Sequence, residues 1–182
     1  MGWKNSSVKY GGLAIGLHWL MLLLLIAVYA SMELRGYFPK GSPEREAMKS
    51  WHYMLGLSVL LLAAVRVLAA ATSAAPAIAP PLVRWQAQAA WAMKLALYGF
   101  MLLMPVLGWL ILSAKGTPIP FFGLQLPALI AENKALAGSI KEVHEALATV
   151  GYGLIGVHAA AALYHHYVLR DNTLRRILPS LR

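Results

Sequence analysis

The sequence predicts an all-α fold, an integral membrane four-helix bundle, and three observations carry that prediction. The 182 residues are 59% hydrophobic and only 13% charged, with a mean hydropathy of +0.61, more apolar surface than a water-soluble domain of this length can bury. The apolar residues gather in four stretches, about 12–32, 50–71, 86–112 and 142–169. At ~1.5 Å per helical residue, each is long enough to cross a hydrocarbon layer ~30 Å thick. There is no cysteine, which excludes disulfides, thiolate metal sites and iron–sulfur clusters. Residues 1–182 therefore read as one membrane domain in a lipid bilayer.

The first stretch follows Lys4 and Lys9 and holds His18 about two turns in, with Gly11, Gly12 and Gly16 nearby. A basic start before an apolar run also fits a signal peptide, but ~20 apolar residues exceed an ordinary h-region and suit an uncleaved span. A polar loop from Glu33 to Lys49, broken by Pro39, Gly41 and Pro43, leads to the second stretch, which opens at His52 and carries Arg66 fourteen residues later. The segment AAATSAAPAIAPP at 69–81 is a Pro/Ala-rich linker and reads as extended chain. The third stretch follows Arg84 and contains Pro105 as a kink point. The longest connection, 113–140, opens at Lys115-Gly116 and has breakers at Pro118, Pro120 and Pro127. Its second half predicts a short interfacial helix, and Phe121-Phe122 read as membrane-interface anchors.

The formal charge of +9 has no soluble basic domain to reside on, so no nucleic-acid partner is expected, and the charge bears on topology instead. Lys4, Lys9, Arg66, Arg84, Lys94, Arg170, Arg175, Arg176 and Arg182 lie on the side of the two termini, against seven basic residues on the other. That side also has few acids and a short basic connection, and the expectation is that both termini are cytoplasmic.

The fourth stretch, KEVHEALATVGYGLIGVHAAAALYHHY from Lys141 to Tyr167, holds four of the six histidines: His144, His158, His165 and His166. Fourteen residues separate His144 from His158, roughly 21 Å along a helix, and bring both to nearly the same face. His165 follows on that face. With antiparallel spans, His18 and His158 share one depth and His52 and His144 the other. Two histidines from different helices at each of two depths is the requirement for two bis-imidazole haems, which suit electron transfer because iron so held has no open position. Arg66 is then the candidate partner for the inner haem's propionates and Arg35 for the outer haem's, with snorkelling to the headgroups as the competing reading. Structural zinc is disfavoured, since it gathers four ligands in one place. A proton relay through His18, His158 and His165 stays open.

Several motifs resemble one known family. "LHWL" at 17–20, "MELRGYFP" at 32–39, "WHYMLGLSVL" at 51–60, "MPVLGWL" at 104–110, "VHEALATVGYGLIGVHAAAALYHHY" at 143–167 and "DNTL" at 171–174 are similar to the small bacterial four-helix cytochrome b561 family, most closely its superoxide:ubiquinone oxidoreductase members. The resemblance implies a di-haem b core in the bacterial inner membrane, with His18 and His158 on the cytoplasmic-side haem b and His52 and His144 on the periplasmic-side haem b. It also implies a ubiquinone pocket beside the cytoplasmic-side haem, where His165 is the candidate quinone or proton partner. Superoxide would give up its electron at the periplasmic face, drawn there by Arg35, Lys40 and Lys115. The histidine pattern equally suits a cytochrome b subunit that links a hydrogenase or other periplasmic dehydrogenase to quinone, the one reading with a protein partner. A haem-free proton or ion transporter is the alternative of another class, and it predicts a colourless protein.

Overall fold

The computed structural model describes residues 2–179; Met1 and residues 180–182, including the Arg182 of the charge count, lie outside the described residues. The fold is all-α, with four helices long and apolar enough to span a membrane. Helix α1 covers Gly12–Leu34 and ends in a 3-10 turn over Arg35–Tyr37, α2 covers Pro43–Ala71, α3 Arg84–Ala114 and α4 Lys134–Tyr167. Strands β1 (Pro120–Phe121) and β2 (Leu124–Gln125) form a small antiparallel hairpin between α3 and α4.

Two helices start well before their apolar stretches, because capping rather than hydropathy sets their ends. Ser42 accepts a hydrogen bond from the Arg45 amide, Pro43 occupies the first turn, and Glu44 and Glu46 lie in that turn, where the helix dipole favours negative charge. At α4, Asn133 Oδ1 accepts from the Leu136 amide at 3.0 Å. No proline interrupts the chain from there to Lys141, so the expected short interfacial helix is continuous with α4, and the chain over 126–133 before it is irregular. Phe121, expected as an interface anchor, is partly buried against Leu57, Leu112 and Ile119. Phe122 is 56% exposed and sits at φ +46° in the hairpin turn.

Consecutive helices pack side by side, α1 on α2, α2 on α3 and α3 on α4, around a buried cluster of Met21, Val59, Ala63 and Met101. Among the described residues no Cα of α4 comes within 8 Å of α1 or α2. Side chains bridge that gap. The Tyr29 hydroxyl donates to the Ala148 carbonyl at 2.8 Å, and its ring lies 4.3 Å from that of Tyr152, whose hydroxyl donates to Glu33 Oε1. A side chain at Gly151 would run into the Tyr29 hydroxyl and the Phe100 ring, so this one glycine sets how closely α4 approaches.

The end of the bundle that carries both chain termini is closed by irregular chain. The Tyr10 amide donates to the Arg176 carbonyl, Trp19 Nε1 to the Ile177 carbonyl and Asn5 Nδ2 to the Ala74 carbonyl. Arg176, 7% exposed, donates to the Pro76 carbonyl and lies over the Tyr10 ring. Asn172 pairs with Ala79 through both its amide and its side chain. Asp171, 3% exposed, accepts from His165 Nδ1 at 2.5 Å and from the Thr173 amide at 2.8 Å. Burial disfavours its charge, but the bonds from His165 and Thr173 outweigh that and hold the carboxyl below the usual carboxylate range.

Two outcomes follow from these contacts. Gly151→Ala should destabilise the protein by about 1–3 kcal/mol by displacing Tyr29 or Phe100, whereas Gly153→Ala, with open space around it, should not, as thermal denaturation in detergent will show. A carboxyl with a depressed native pKa contributes stability in full above its unfolded value of about 4 and loses it as pH falls through the native value. The denaturation midpoint should therefore drop on acidification below about pH 4, and Asp171→Asn should flatten that part of the pH dependence.

Candidate functional site

Antiparallel helices bring four histidines together in two pairs, one towards each end of the bundle. His18 on α1 and His158 on α4 have ring centres 6.3 Å apart at the level nearer the termini. His52 on α2 and His144 on α4 have ring centres 6.3 Å apart at the level nearer the hairpin. Both spacings have a simple metric meaning. An imidazole nitrogen about 2 Å from a metal, with its ring centre about 1 Å further back, puts two axial rings a little over ~6 Å apart. A metal fits between the rings of either pair without moving a helix.

The surroundings suit a flat ligand that supplies the remaining coordination. Among the described residues no three His, Cys, Asp or Glu side chains converge on one point, so each pair offers two nitrogens only. The backbone of α4 stands off both α1 and α2, and Gly16, Gly56, Gly153 and Gly156 present open space where other residues would place a side chain. His158 is exposed on α4 although it lies within a span, which an occupant against its ring would relieve. Around the second pair lies a cavity of about 550 Å³, lined by His52, His144 and Gly56 and by the basic Arg35, Lys49 and Lys115. That volume is in the range of small-molecule and cofactor sites.

Hydrogen bonds orient the rings. His52 Nδ1 is 3.2 Å from the Val28 carbonyl, so it donates there and leaves Nε2 free as a ligand, the usual outer-shell arrangement for a metal-binding imidazole. His144 Nδ1 is buried near the Met104 carbonyl without full hydrogen-bond geometry. At the other level, Arg66 Nη2 is 3.4 Å from His18 Nδ1, and its guanidinium lies over the Tyr98 ring. With Nε2 of His18 given to a metal, Nδ1 and Arg66 are both donors, a combination that calls for an acidic acceptor between them. Arg35 lines the cavity with its Nε buried and unpartnered, while its backbone carbonyl accepts from Arg45. Among the described residues neither Arg35, Arg66 nor Lys115 has a carboxylate partner.

His165 enters neither pair; its ring turns to Asp171 beyond the end of α4. Sequence reasoning passed over Asp171, although it is the only aspartate in the chain and lies six residues after His165. It also passed over Lys49 and Lys141 as site residues, both of which line the cavity. Each lies three residues before a paired histidine, His52 and His144, and that spacing places the lysine one turn outward on the same helical face. Lys49 pairs with Glu46 at 2.6 Å and Lys141 with Glu145 at 2.9 Å.

Comparison with known proteins agrees with this architecture. A sequence model described as prokaryotic cytochrome b561 matches residues 9–180. "Cytochrome b561 homolog 1" of Escherichia coli K12 is 39% identical over 171 residues, 94% of this chain and 97% of that protein. "Probable superoxide oxidase CybB" of Yersinia pestis is 38% identical over 174 residues, 96% and 98% of the two chains. "Cytochrome b561 homolog 2" of Escherichia coli K12 is 29% identical over 182 residues, 98% and 95%. With four membrane-capable helices and a family match over nearly its full length, the chain belongs to the prokaryotic cytochrome b561 family of haem b membrane proteins that carry electrons.

Proposed function

We propose that this protein is a superoxide:ubiquinone oxidoreductase of the bacterial inner membrane, with two haem b groups and both termini in the cytoplasm. The observation that carries the proposal is the pair of imidazole pairs, each at 6.3 Å, at opposite ends of one bundle, with a basic cavity around the His52–His144 pair. Similarity to a relative named as a probable superoxide oxidase supports the choice of electron donor. In balance, two superoxide anions each lose one electron and leave as dioxygen, while one ubiquinone gains two electrons and two protons to become ubiquinol.

Haem b bound at each level would supply a one-electron carrier. His18 and His158 would hold it at the level nearer the termini, and His52 and His144 at the level nearer the hairpin. Arg66 and Arg35 serve as the propionate partners, because each is a guanidinium within its site and without a carboxylate of its own. Superoxide is an anion, and the unpaired Lys115 with Arg35 at the periplasmic mouth raises its local concentration through a long-range field. Lys40, an exposed loop cation, adds to that field. His165, on the other side, is the residue that meets quinone.

The reading has two tests. His52→Ala and His158→Ala should each lower the pyridine haemochrome count from two haems per chain to one, and a variant that keeps both would refute the pairing. Purified protein given superoxide and a soluble short-chain quinone should show haem reduction faster than spontaneous dismutation, followed by quinol formation. In that assay Lys115→Gln and Arg35→Gln should lower kcat/KM for superoxide about tenfold at low ionic strength, with the difference shrinking at about 0.15 M salt and above.

A further inference from the structure

We infer that Asp171 is a positioning residue for quinone reduction, fixing the tautomer and orientation of His165 so that the imidazole Nε2 passes protons to a quinone oxygen. The inference rests on the proposed quinone chemistry and adds a group to it. His165 Nδ1 and Asp171 Oδ2 are 2.5 Å apart, and their side chains are 16% and 2% exposed. An ionised carboxylate only accepts, so the proton between them is on Nδ1, and Nε2 is the position left for exchange.

The carboxylate is held there from several directions. Its other oxygen accepts from the Thr173 amide at 2.8 Å, and the Asp171 amide donates to the His165 carbonyl at 3.1 Å. Arg170, the residue before it, takes a left-handed φ of +56°, which turns the chain back under the end of α4. A non-glycine residue is disfavoured there, and the surrounding bonds keep it in place. Asn172 and Arg176, on the far side of Asp171, are tied to the 76–79 linker.

The location suits proton supply. His165 is seven residues beyond His158 on α4, roughly 10 Å along the axis and within about 20° of the same face. The dyad therefore lies between the inner imidazole pair and the membrane surface that carries the termini. Reduction of a quinone by two electrons requires two protons, and the apolar layer of Met21, Val59, Ala63 and Met101 offers none. Each proton leaves His165 Nε2 for a quinone oxygen and is replaced from water on the side of the termini. Asp171 touches neither quinone nor iron; it acts through His165.

The test uses haem-loaded full-length protein in vesicles, reduced with superoxide and then mixed with a short-chain ubiquinone. Asp171→Asn should slow re-oxidation by quinone relative to reduction by superoxide by roughly tenfold to a hundredfold, as a fall in kcat with KM for quinone changed less than about threefold. His165→Gln should show the same loss, the double variant should be no slower than either, and Asp171→Glu should recover part of the rate. A wild-type rate in Asp171→Asn overturns the inference while leaving the quinone reading intact; wild-type protein that quinone fails to re-oxidise overturns both. Should Asp171→Asn not accumulate, the ¹⁵N-histidine spectrum of dithionite-reduced wild type decides: a neutral His165 with its proton on Nδ1 supports the dyad, and one with its proton on Nε2 sinks it.

Discussion

The fourth helix touches its neighbours unequally, and the architecture depends on that inequality. Its backbone packs on α3 alone, yet it supplies one imidazole to each pair, so α1 and α2 meet it only through side chains. A gap of this kind between membrane helices is costly unless something fills it, because dispersion contacts rather than the hydrophobic effect hold helices together in lipid. The spacing of 6.3 Å within both pairs leaves room in that gap for a metal between the rings and a flat ligand around it. Tyr29, Tyr152 and Gly151 set the separation at mid-height and so keep the two levels in register.

The two ends of the bundle are built for different tasks. Towards the hairpin, Arg45 pins the 3-10 turn that carries Arg35, and Trp109 Nε1 ties the segment after the hairpin through the Pro127 carbonyl. These bonds fix a basic mouth over the His52–His144 cavity. At the opposite end the linker and both terminal segments interlock, and basic side chains there are tied to carbonyls rather than gathered around an opening. One end attracts anions, and the other is covered by chain.

How far the sequence discloses this depends on the range of the interactions involved. Helical arithmetic over fourteen residues suffices to place His144 and His158 on one face and to match them with His52 and His18, because that relation is local to single helices. The early starts of α2 and α4 are written in Ser42 and Asn133, but hydropathy conceals them, since the first turns they cap are polar. Phe121 reads as an interface residue from its neighbours in the chain and is partly buried against Leu57 and Leu112, which come from two other helices. The bond between His165 and Asp171 depends on the left-handed turn at Arg170 and on ties to a linker some ninety residues away in the chain. No periodicity announces such a contact.

The buried layer of Met21, Val59, Ala63 and Met101 has an electrical consequence. Between the two imidazole levels the spans carry no histidine or arginine, and the polar groups that reach the middle, Tyr29 and Tyr152 with Glu33, lie on the side of the His52–His144 cavity, whereas an electron, which tunnels, needs no such groups. Under the proposed function, with superoxide oxidised outside and quinol protons drawn from within, every turnover would carry negative charge inward. Detoxification of a radical would then polarise the membrane, outside positive, in the same sense as respiration.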